Sequence, residues 1–191
     1  MKKIFVIALA ALMTVTASAQ KLGRVNFTEL VQLAPEADAA REQITAMQNE
    51  AQETYASMLE EYQTKANQYQ QKSASWTAAI RESKEKELYD IQNRLQEFQQ
   101  TISQELQQQQ NTLMSPIMEK AQEVVKKLAK AQGLAAVFDD SSALYFDEAA
   151  VVDLTPAARK ELGIKDGRTL EQLQQEMQAQ AQAQAQAGQG Q

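Results

Sequence analysis

The sequence predicts a mostly α protein with a small β part: a long antiparallel helical hairpin standing on a small β body closed from several chains. Three observations predict it. Residues 36–132 contain no Gly and a single Pro, Pro116, within a stretch rich in Gln, Glu and Ala. Their apolar side chains recur every eleven residues, in two successive sets. After Gly133 the composition switches to short Val, Phe, Tyr and Leu runs broken by Asp and Ser. With 5 Phe, 5 Tyr and 1 Trp in 191 residues, a large compact core is not expected, and an elongated body is.

At the start, "MKKIFVIALAALMTVTASA" sets Lys2 and Lys3 before an apolar run from Ile4 to Val15 and then Ala17-Ser18-Ala19. This is the pattern of a secretory signal, residues 1–19, cleaved before Gln20. The run is shorter than the roughly 20 residues a membrane-spanning helix needs. The chain has no Cys, hence neither a lipid-attachment cysteine nor a disulfide framework, and a soluble exported protein is expected.

Residues 20–35 read as the first part of the β body. "KLGRVNF" alternates Val25 and Phe27 with Arg24 and Asn26, as a strand does, and "FTELVQLAP" follows as a brief helix ended by Pro35. Residues 36–132 are the hairpin. In its first arm the apolar frame falls at Ala40, Ile44 and Met47, then Ala51, Tyr55 and Met58, then Tyr62, Ala66 and Tyr69, with Ser73 and Ile80 continuing it. In the second it falls at Ile91, Leu95 and Phe98, then Ile102, Leu106 and Gln109, then Leu113, Ile117 and Lys120, then Val124, Leu128 and Ala131. Eleven residues in three turns keep a stripe nearly straight. Two stripes of one period suit two antiparallel helices, each about 60 to 75 Å long. The turn is expected within Gln71–Ser83, where Ser and Thr cluster.

From Leu113 to Ala131 the stripe widens by a second row, Met114, Met118, Ala121 and Val125, so the hairpin base must pack against something more than its partner arm. Pro116 at that point predicts a kink, or a new helix capped by Ser115. Residues 133–163 are the second part of the body. Gly133 stops the helix; Leu134–Phe138 and Ala143–Phe146 are expected strands around an Asp139–Ser142 turn, and Val151 and Val152 a third short piece. Thr155 with Pro156 marks a helix start, and Gly163 its end. Residues 164–191 read as a low-complexity Gln-rich tail, without order or as frayed helix. Strands this few and short do not bury enough to stand alone, so copies from several chains are expected to close one sheet. The candidate residues of that shared body are Val25, Phe27, Leu134, Val137, Phe138, Leu144 and Phe146, with Met114, Met118 and Val125 of the widened stripe.

Chemistry is not expected. The sequence has no His and no Cys, no Gly-rich phosphate loop, and no Ser beside a base; Asp139 and Asp140 suit a turn better than a metal site. No catalytic residue, metal or cofactor is therefore assigned. Without Lys2 and Lys3 the exported chain carries 17 basic and 25 acidic side chains, a net charge of −8, which does not point to nucleic acid. What stands out are Leu59 and Trp76, apolar and off the main stripe, together with Tyr62, Tyr69 and Ile80 toward the tip. They suit weak, adaptable contacts with an unfolded chain, a role the Met residues also fit.

"LGRVNFTELVQLAPEADAAREQI", "RESKEKELYDIQNRLQEFQQ", "SPIMEKAQEVVKKLAKAQGLAAVFDD" and "VVDLTPAARKELGI", in this order behind a signal peptide, resemble the Skp/OmpH-like periplasmic chaperones. The resemblance implies a jellyfish-like homotrimer in the periplasm: a β-barrel body from three chains, and three helical tentacles enclosing a cavity where unfolded outer-membrane proteins are held soluble without ATP. The charge departs from the best-known members, whose arms are strongly basic. Residues 36–132 here carry 11 basic and 15 acidic side chains, which weighs against membrane or lipopolysaccharide contact. The Gln-rich tail also lies outside the common pattern. The alternative reading is a structural or adaptor coiled-coil protein of the cell envelope that docks a folded partner.

Overall fold

The computed structural model describes residues 21–189; the expected signal segment lies outside them. Strand β1 spans Leu22–Val25. The helix α1, Phe27–Leu33, follows at once because the Asn26 side chain accepts the Glu29 N–H at 3.0 Å. Asn-x-x-Glu is a helix-start pattern, so of the two expected elements that share Phe27 the helix takes it. Pro35 separates two helices, as expected, and is itself the first residue of α2, Pro35–Lys72, where a missing N–H costs nothing.

The chain reverses through a 3-10 turn, Ser73–Ser75, and α3 runs from Ala78 to Ala131 behind a Thr77 cap that accepts the Ile80 N–H. The reversal lies inside the expected window. At 38 and 54 residues the arms measure about 57 and 81 Å, the surplus of α3 reaching down into the body. Helix α3 is continuous through Pro116, so the alternative of a new helix starting there does not hold. The eleven-residue frame is the covered face: from Ala40 to Tyr69, and from Ile91 to Gln109 and on to Leu128, every frame residue but Lys120 is buried or half-buried. Ile80 and Ala131 also fall outside the seam.

Gly133 ends α3 with a φ of 66°, a left-handed conformation that glycine adopts freely. Strand β2 is Ala136–Asp139 and β3 is Val151–Asp153. Both run parallel to β1, in the order β2-β1-β3, with Leu22 level with Ala136 and Val151. The sheet of this chain is thus open and three-stranded, in place of the closed barrel expected. Ala143–Phe146 is not a strand. Both edges of β1 are already taken, and the chain between Asp139 and Val151 must travel back to the start of the sheet, which parallel pairing requires.

Gly23, Val25, Val137 and Val152 share the inner face. A Cβ at position 23 would lie 2.6 Å from Leu134 Cδ1 and 3.3 Å from Val137 Cγ2, so any larger residue there would have to push the Leu134 side chain aside. This face packs on Leu30, Leu33, Ala37, Ile117 and Ala121. The helix α4, Thr155–Glu161, adds Ala158 to that core. Its N-cap is Leu154, not Thr155: the Thr155 hydroxyl accepts the Asn26 N–H at 3.0 Å, and Asp153 Oδ1 accepts the Thr155 N–H at 2.8 Å. Of the two forms expected for the tail the helical one is found, and its root is packed. It forms α5, Leu170–Gln189, with Leu173 buried and Leu170 packed on the core.

Candidate functional site

Two surfaces carry the residues singled out by sequence: the hairpin arm and the outer face of the sheet. On the arm, polar links between α2 and α3 gather toward the tip. The Tyr69 hydroxyl donates to the Glu85 carboxylate, which raises the phenol above its ordinary range. Lys65 and Lys84 both donate to Glu87, and the two ammonium groups hold its carboxyl down at about 2, against an ordinary 4.5. Gln92 Nε2 donates to Tyr62 Oη at 2.7 Å, and Arg94 pairs with Glu61 at 3.1 Å. At the base Lys120 pairs with Glu36, drawing that carboxyl down. Among the described residues no ion pair joins the two helices between these zones.

In that middle stretch the seam opens into a shallow groove of about 460 Å³. Its walls are Ala51, Tyr55, Phe98, Ile102 and Leu106, and its rim is Gln48, Gln52 and Gln99. A neutral amide rim over an apolar floor selects for neither sign of charge. Sequence reasoning placed the wall residues in the helix seam and missed the groove. Its only sequence sign is the glutamine at neighbouring positions, where a tight seam would carry larger apolar side chains.

The candidate contact residues divide. Leu59 is at the edge of exposure and Ile80 is 46% exposed. Tyr62, Tyr69 and Trp76 are half-buried: the tyrosines bridge to α3 as described, and Trp76 packs edge-on against Tyr69 at the tip. Tyr89, 62% exposed, is a further outward-facing aromatic that the frame count missed because it falls off both stripes.

The candidate body residues divide likewise. Val25 is buried, and Phe27, Leu134, Val137, Met114 and Val125 pack on the core of their own chain. Phe138 and Met118 face outward, and Phe146 is half-buried. Leu144 is 109% exposed and its neighbour Tyr145 81%, so two large adjacent side chains stand in solvent. Register places Phe138 beside Arg24 on the outer face of the sheet. Arg24 is held there between Asp140 at 3.0 Å and Asp153 at 2.9 Å, so the outer face joins a fixed ion triad to an exposed aromatic ring. Among the described residues no helix is long and apolar enough to cross a membrane.

The OmpH-like outer membrane protein family model matches residues 21–162, which takes in the sheet, both arms and α4. Among solved structures, this fold is similar to that of a candidate outer membrane chaperone (OmpH-like) from Caulobacter crescentus CB15. The TM-score is 0.66 at 14% identity, over 75% of this chain and 83% of the other. No curated protein matches the sequence. The fold and the extent of the family match agree, and the chain belongs to the OmpH-like outer membrane protein family.

Proposed function

We propose that this protein is an exported, ATP-independent holdase of the periplasm, which keeps unfolded outer-membrane proteins soluble between the arms of a homotrimer. The observation that carries the reading is the arm itself. It is a long helical hairpin with an open, uncharged, apolar groove at mid-length and isolated exposed side chains such as Leu59, Ile80 and Tyr89. Many shallow contacts without an enclosed pocket give affinity with little sequence preference. Membership of the family and the description of the Caulobacter neighbour as a candidate outer membrane chaperone support a chaperone role. The outward Phe138, Leu144 and Tyr145 beside open strand edges support assembly of several chains through the sheet.

The experiment is dilution of a urea-denatured outer-membrane β-barrel protein, with and without the mature chain in excess, followed by light scattering. Suppressed scattering is expected. Scattering unchanged at a threefold chain excess sinks the reading, and capture of one folded envelope partner with indifference to denatured chains favours an adaptor instead.

A further inference from the structure

The segment beyond residue 162 lies outside the family match, yet it is fastened to the body. Leu173 is buried and Leu170 packs on the core. Arg168 Nη2 donates to Asp38 of α2 at 2.6 Å, and Arg159 Nη2 donates to the Arg168 carbonyl at 2.8 Å. Past this anchor the packing stops: from Gln174 to Gln184 every side chain of α5 is exposed. The helix nonetheless stands beside the hairpin root. A gap of about 300 Å³ separates them, with Met177 and Ala181 on one wall and Ala40, Ile44 and Met114 on the other.

Apolar patches facing each other across a space wide enough for water favour closure, even with Arg41, Gln48, Gln180 and Gln184 among the lining. A helix fixed by one packed turn and free beyond it can close by tilting. Methionine on both sides suits a contact that forms and re-forms, because its unbranched side chain adapts to either state. Met177 lies one turn past Leu173, so a small rotation about the anchor brings it to the hairpin.

We propose that α5 is a strap that tilts about its Arg168–Leu173 anchor and closes Met177 and Ala181 onto Ile44 and Met114. The closed strap covers the apolar wall where the arm leaves the body; on the holdase reading above, an unfolded client displaces it.

The test is amide hydrogen exchange of the full mature chain, read over residues 174–184. Exchange in the parent is expected to be about tenfold slower than in Met177→Gln, the effect of losing one partly buried methionine contact. Met177 is 51% exposed, so its replacement does not unfold the body, and Ala181→Asp, exposed on the same wall of the gap, is expected to match it. Equal rates in the parent and both variants overturn the strap. Urea-denatured outer-membrane β-barrel protein is expected to raise the parent's rate to that of the variants. Unchanged rates, with the same client held soluble by light scattering, overturn the displacement. Failure to hold that client sinks the holdase reading alone, and the comparison of variants still judges the strap.

Discussion

Tyr69 and Trp76 meet edge to face at the hairpin tip, their ring centroids 5.8 Å apart and their planes at 67°. The pair closes the end of the arm where the backbone turns, the Trp76 N–H donating to the Ser73 carbonyl. Trp76→Ala removes an aromatic contact worth about 1 kcal/mol and leaves that backbone bond in place. Faster amide exchange confined to residues near the turn is expected, with weaker client holding and no change in sedimentation. Global unfolding would assign Trp76 to the fold alone.

Ile91 is 1% exposed and stands apart from the core of the body. It is the fixed point of the outer arm. Ile91→Ala is expected to cost about 2–5 kcal/mol, and Ile91→Val about 1 kcal/mol, as shifts in urea midpoint. A cost for the alanine variant below that of the valine would show the arm collapsing around the missing side chain.

Glu87 gives the arm an acid sensitivity. Its carboxyl is at about 2 in the folded hairpin, against 4.5 ordinarily, through the hydrogen bonds from Lys65 and then Lys84. The lowered value means that this stabilisation is full above about 4.5 and is lost as pH falls toward about 2. The site is partly exposed, so the effect stays below about 1 kcal/mol. Glu87→Gln should flatten the pH dependence of the urea midpoint within that window only. An unchanged slope would show that the pair is solvated.

Assembly should depend on the outward apolar residues. Sedimentation equilibrium of the mature chain is expected to give three times its mass, and Phe138→Asp with Leu144→Asp a monomer. Both side chains are exposed in the single chain, so its circular dichroism should not change. A parent that sediments as a stable monomer removes the trimer.

The arms were legible because a helix seam writes itself as a period: Tyr55, Phe98 and Ile102 are where the eleven-residue count puts them. The body was less so. Asn26 and Glu29 carry a helix-start pattern, but the alternation through Phe27 competes with it and suggests one residue more of strand. Leu144 and Phe146 have the composition of a strand, and only the pairing of β1 with both other strands shows that the sheet has no place for them. In the tail, Leu170 and Leu173 are two leucines in a polar run; their burial depends on the core and on α1, which packs against α5, and no local pattern records that. The same holds for the candidate site. The groove walls were visible as apolar positions, but their separation from one another was not.

The strand order carries a consequence for time. Lys65 and Glu87, which fasten the arm near its tip, are 22 residues apart in sequence, whereas Arg24 and Asp140, which fasten the sheet, are 116 apart. Short loops close more readily than long ones, so the hairpin is expected to zip from its tip downward and the sheet to complete last. During synthesis β1 is made first and waits for a partner on one edge until residue 139 and on the other until residue 153.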